Sequence, residues 1–104
     1  MIVNHRPHIR RMARRDKLLA RMRANPRDWT ISDVQTLCDG FDITCKKPPR
    51  GSHYGVSHET QETILTVPFG RPIKQVYIKK LVAFVDAVQA ARSEEEDTKA
   101  DERS

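Results

Sequence analysis

A chain of 104 residues is long enough for one domain around a single hydrophobic core. Only 38% of it is hydrophobic and 32% is charged, so part of the chain is expected to lie outside that core. No apolar run approaches the roughly 18 residues needed to span a bilayer, and no apolar stretch follows the basic N-terminus, so neither a membrane span nor a secretory signal is expected and the expected compartment is cytoplasmic.

The formal charge of +5 is unevenly distributed. Residues 1–27 hold nine Lys/Arg and one acid, residues 28–92 hold eight basic and seven acidic residues, and residues 93–104 hold two basic and six acidic residues. The chain therefore divides into a basic N-terminal helical extension (1–27), a nearly neutral domain (28–92) and an acidic tail (93–104). In the extension, the stretch from His8 to Arg23 is rich in Ala, Arg, Leu, Met and Lys, all good helix formers. Met12, Leu19 and Met22 form one stripe with Leu18 beside it, arginines cover the rest, and Asn25-Pro26 should stop the helix. Such a helix either attracts phosphate backbones without regard to sequence or is a solvated helix docked by its narrow apolar stripe.

A compact helix is expected next. Thr30 is suited to be its N-cap, with Asp33 in a capping-box position, and Trp29 can pack on Val34 as a hydrophobic staple. Ile31, Val34, Leu37 and Cys38 share one face, and Gly40 is suited to end the helix in a left-handed conformation. Phe41, Ile43 and Cys45 then alternate with Asp42, Thr44 and Lys46, the period of a half-buried strand. Pro48-Pro49-Arg50-Gly51 breaks that strand and opens a loop. A second strand is expected from His53 to His58 and a third from Glu62 to Val67, closed by Pro68.

The last helix is expected from about Lys74 to Arg92, burying Ile78, Leu81, Val82, Val85 and Val88, with Tyr77 and Phe84 beside that stripe. Beyond it, Ser93-Glu94-Glu95-Glu96-Asp97 lacks aromatics and is expected to be a disordered tail, solubilising or folded back on basic surface. The expected fold class is α+β: a two-layer α-β-β-β-α sandwich with an antiparallel three-stranded sheet, helices on one face and the other face open. The two cysteines, Cys38 and Cys45, leave six residues between them where structural zinc sites usually leave two to four. They are read as small apolar core residues, and neither a metal nor a cofactor is expected.

Gly51-Ser52-His53, then His58, then Leu65-Thr66-Val67-Pro68, then Pro72-Ile73 and an amphipathic helix resemble the HicA family of bacterial toxins over roughly Thr30 to Ala91. The resemblance implies a double-stranded-RNA-binding-domain-like fold, mRNA interferase activity within a toxin–antitoxin system, and a HicB-type antitoxin as partner. It makes His53 the catalytic histidine. Two positions depart from the family pattern: Tyr54 and Phe69-Gly70 stand where many members carry further histidines.

Metal-free RNA cleavage begins with removal of a proton from a ribose 2′-hydroxyl, and an imidazole with an ordinary pKa near 6.5 is mostly neutral and able to do this at about pH 7. Negative charge then grows on the phosphate and calls for cations or amide donors. The candidate RNA-contacting set is Lys46, Lys47, Arg50, Gly51, Ser52, His58, Arg71 and Lys74. His58 lies five positions from His53, so an unbroken strand points the two to opposite faces; His58 is read as structural or RNA-contacting before it is read as an acid partner. The rival readings are an RNA-binding module without nuclease activity and a zinc-stabilised adaptor.

Overall fold

The structure, a computed structural model, describes residues 12–49, 51–68, 70 and 72–103, with side chains described as far as Glu95. Among the described residues it is an α+β fold of three helices and one antiparallel sheet. Helices α1 (Arg14–Ala24) and α2 (Ile31–Gly40) are followed by strands β1 (Thr44–Lys46), β2 (His53–Ser57) and β3 (Leu65–Pro68), and helix α3 (Gln75–Arg103) closes the chain. The strand order is β1-β2-β3, which makes β2 central and confines Pro68, which has no N–H to give the ladder, to an edge strand.

The capping box of α2 forms as its residue types require. The Thr30 amide donates to Asp33 Oδ2 (2.9 Å), and the Asp33 amide donates to Thr30 Oγ1 (3.3 Å). The other end of α2 differs from expectation. Gly40 is the last helical residue, and the left-handed residue is Asp42, with φ 57°. The Ile43 amide reaches the Cys38 carbonyl (2.8 Å) and the Asp42 amide reaches Asp39 (3.3 Å), which is a Schellman closure with Asp42 where glycine is commonest.

Gly40 has a different task. A Cβ there would stand 2.7 Å from Arg15 Cβ, so the missing side chain lets α1 approach α2. Arg15 fixes that approach by donating from Nη1 to the Gly40 carbonyl (3.0 Å) and by lying 4.7 Å over the Phe41 ring.

Helix α1 is thus one of the packed elements. Leu19 and Met22 are buried in the same cluster as Val34, Leu37, Phe41, Ile78 and Leu81, Leu18 packs against it, and Met12 remains 45% exposed. Residues from the stretch expected to be an extension thus share one buried cluster with residues of 28–92. Trp29 ties the two sides together: its indole donates to the Asn25 carbonyl (2.6 Å), and its own carbonyl accepts from the Ile73 amide (2.9 Å). The start of the expected helix, from His8 to Arg11, lies outside the described residues.

The strands are shorter than their alternation suggests. The left-handed turn at Asp42 delays β1 to Thr44, and β3 begins at Leu65, where pairing with Val56 starts. The α3 helix runs past the expected end at Arg92, through the segment expected to be a disordered tail, as far as Arg103. Glu, Ala, Lys and Arg dominate that segment and favour helix. A helix already nucleated by packing at Ile78, Leu81, Val85 and Val88 also extends without a new nucleation cost. Tyr77 and Phe84 pack against the core and widen the buried stripe.

Cys38 is fully buried and Cys45 packs against the core, with the two thiols hydrogen-bonded to each other. Donation to Cys45, reinforced by burial, pushes the Cys38 pKa up, and the same bond lowers that of Cys45.

Gly40→Ala is expected to lower stability by about 1–3 kcal/mol in denaturant unfolding, because the collision with Arg15 outweighs the gain in helix propensity. In an Arg15→Gly background, which has no Cβ at position 15, the same Gly40→Ala change should cost less than in the wild-type chain. A second prediction concerns the bidentate pair between Arg23 on α1 and Asp86 on α3 (2.9 and 2.8 Å). Its side chains are 53% and 43% exposed, so its contribution is held to below about 1 kcal/mol. The bond from Arg23 lowers the Asp86 pKa, so the contribution is present above the unfolded-state pKa of about 3.9 and fades as pH falls through the lower folded value. Asp86→Asn should flatten that part of the stability–pH curve without changing the fold.

Candidate nucleic-acid interface

Strand alternation gives the sheet two chemically different faces. Tyr54 and Val56 of β2 and Val67 of β3 are buried toward the helices, with Cys45 and Leu65 half-buried beside them. The opposite face carries Thr44 and Lys46 of β1, His53, Gly55 and Ser57 of β2, and Thr66 and Pro68 of β3. Register fixes their neighbours: Lys46 stands opposite Gly55, Gly55 opposite Thr66, and His53 opposite Pro68. His53 is therefore a diagonal neighbour of both Lys46 and Thr66, within reach of long side chains.

Gly55 leaves a dip in this surface between the lysine and the threonine. A shallow depression of about 490 Å³ is lined there by Lys46, Lys47, Pro48, Pro49, His53, Tyr54, Gly55 and Thr66. The combination of exposed imidazole, two lysines and a hydroxyl is chemically suited to an anion. The His53 ring is exposed, and among the described residues it has no hydrogen-bond partner. Gly51, at φ 89° with open space where a Cβ would stand, turns the chain into β2, a conformation that L side chains rarely adopt.

The other expected residues divide. Lys46 and Lys47 line the depression with His53. Gly51 and Ser52 are exposed in the loop that leads to it. Lys74 lies elsewhere, beside Arg27, Asp28, Pro72 and Gln75 at the start of α3. Arg50 and Arg71, and Phe69 of the departing pair, lie outside the described residues.

His58 falls just past the end of β2, where both of its ring nitrogens are engaged. The Thr60 amide donates to Nδ1 (3.1 Å), the Thr60 hydroxyl lies 2.8 Å from the same atom, and Arg92 Nη2 lies 3.0 Å from Nε2. A neutral imidazole has one acceptor nitrogen, so the amide and the guanidinium compete for it. Either tautomer leaves no ring nitrogen open to a ribose hydroxyl. The contact across 34 positions to α3 makes His58 a brace between the sheet and the last helix.

Gly55, Thr66 and the exposed Ile64 (61%), whose Cγ2 is 3.5 Å from a Cβ position at Gly55, belong to this face and were not named as site residues from the sequence. Counting alternate positions from His53 and from Leu65 would have found the first two. Among the described residues no three His, Cys, Asp or Glu side chains converge as metal ligands, and no helix is long and apolar enough to cross a membrane. No family model, curated protein or solved structure matches the chain.

Proposed function

We propose that the protein is a metal-independent endoribonuclease, an mRNA interferase toxin of the HicA type, which cleaves RNA with His53 as general base. The observation that carries this reading is the exposed His53 ring, which has no partner among the described residues, beside Lys46, Lys47 and Gly55 on the open sheet face. The order α2-β1-β2-β3-α3 is compatible with the double-stranded-RNA-binding-domain-like fold that the resemblance implies.

On this reading, a phosphate sits in the dip over Gly55, where no side chain holds it away from the backbone. His53 takes the proton of the 2′-hydroxyl, the oxygen attacks the adjacent phosphorus, and Lys46 and Lys47 offset the growing negative charge. The leaving 5′-oxygen takes its proton from a lysine or from water, since His58 is occupied by Thr60 and Arg92. Tyr54 is buried where His53 is exposed, so a histidine at 54 would not repeat the exposure of the His53 ring. A HicB-type antitoxin would neutralise the enzyme by covering this face, and mRNA in the cytoplasm is the expected substrate.

Because His53 is the one free imidazole among the described residues on this face, a non-catalytic RNA-binding module is the competing reading. Purified protein incubated with RNA in EDTA separates them. Cleavage that falls about 10²-fold or more in His53→Ala, with loss of growth arrest on expression, is the expected result. An intact RNA that is only shifted in a gel selects the binding module, and equal cleavage by a folded His53→Ala variant refutes the catalytic role. Gly55→Val tests the seat for the phosphate. A Cβ at 55 meets Ile64 at an ordinary 3.5 Å and valine favours strands, so cleavage should drop at least about tenfold while circular dichroism and thermal unfolding check that the strand persists.

A further inference from the structure

A second cationic feature lies on the helical side of the sheet. Arg14, Arg15, Lys17 and Arg21 of α1 border a groove of about 450 Å³ against α2, with Leu18 in its lining. Arg14, Lys17, Leu18 and Arg21 recur at helical spacings of three and four, so they share one face of α1, while Leu19 and Met22 anchor the helix in the core. Like charges at those spacings repel, and burying the helix does not require them.

Two of the cations are already held in place. Arg15 is bound to the Gly40 carbonyl and lies over Phe41, and Arg21 lies 5.3 Å over the Trp29 ring. Among the described residues the ion pair formed is Arg23–Asp86, so neither Asp16 nor Asp39 is paired with a cation of the groove. Cations without carboxylate partners among the described residues, two of them held in place and the set spread over about 10.5 Å from Arg14 to Arg21 at 1.5 Å per residue, match a chain of regularly spaced anions better than a single ion.

We infer that the α1–α2 groove is a separate, sequence-independent seat for the phosphate backbone of single-stranded RNA. The preference for RNA rests on the nuclease reading; the affinity for a nucleic-acid backbone rests on the groove alone. Because the groove is not on the open sheet face, its occupation holds RNA to the protein without contacting the His53 chemistry.

The test uses the full chain carrying His53→Ala, to prevent cleavage, and a fluorescently labelled 20-mer of uridylate followed by anisotropy over a range of KCl concentrations. Arg14→Gln with Lys17→Gln removes two exposed cations that have no partner among the described residues, so folding should be retained, as circular dichroism would check. The slope of log K against log salt should become shallower by about 1.4, since each phosphate no longer neutralised on a single strand takes away roughly 0.7. Arg14→Lys with Lys17→Arg keeps the charge and should restore the slope. An unchanged slope in the Gln variant overturns the inference. So does a concentration-dependent dimer that the Gln variant abolishes, because the groove would then hold the acidic helix end of a second copy. Cleavage by the protein with His53 intact is scored separately, so failure of the nuclease reading leaves this result readable.

Discussion

The arrangement depends on the alternation of the central strand β2, which must satisfy two surroundings at once. Tyr54 and Val56 enter the space under the helices, and that forces His53, Gly55 and Ser57 outward. A slip of one position would bury the imidazole and expose the core residues, so hydrophobic burial itself holds His53 on the open face. Antiparallel pairing on both sides of β2 then brings Lys46 and Thr66 to the same dip from opposite edges. The chemistry of that dip is set by the fold's strongest constraint and by no dedicated scaffold.

The helical layer solves a different problem. A three-stranded sheet of short strands offers little area, and α2 with the first half of α3 covers it. Helix α1 adds Leu19 and Met22 to the cluster and is admitted by the missing side chain at Gly40. The same Arg15 that exploits this gap stacks on Phe41, the residue that begins the Schellman turn into β1. Closure of α2, docking of α1 and entry into the sheet are therefore one local arrangement around Gly40, Phe41 and Asp42. Trp29 performs the matching task at the other end, joining the exit of α1 to the segment before α3.

Element type and order were legible because burial imposes periods that survive in the sequence: the stripe from Ile78 to Val88, the Thr30–Asp33 box, and Tyr54–Val56 against His53–Gly55. What escaped were features decided by contacts distant in sequence or by local competition. Gly40 reads as a left-handed cap until Arg15, 25 positions away, occupies the space beside it. Asp42 takes the left-handed role at some cost, and its turn shortens β1. Charge density argued for a tail without structure after Arg92, whereas helix propensity together with a nucleus already packed carries the helix on. For the site, His53, Lys46 and Lys47 came from type and proximity. Gly55 and Thr66 carry no chemical signal of their own and become meaningful only through register.

The two histidines show how sequence proximity and function separate. Five positions apart, they lie at opposite ends of β2, and only one is left with a free ring. His58 is held by Thr60 within its own turn and by Arg92 on α3, so it braces the end of the sheet against the last helix. His53 has no such partner among the described residues and stands over a surface lined by Lys46 and Lys47. An acid–base pair would need both rings free and facing one phosphate, and strand parity together with the Arg92 contact excludes that in this arrangement. A nuclease built on this face must then draw the leaving-group proton from lysine or water. In such a nuclease, that requirement would place the greater part of the catalytic burden on proton removal by His53 and on charge stabilisation by Lys46 and Lys47, and the bare backbone at Gly55 would be the element that brings the phosphate close enough for both.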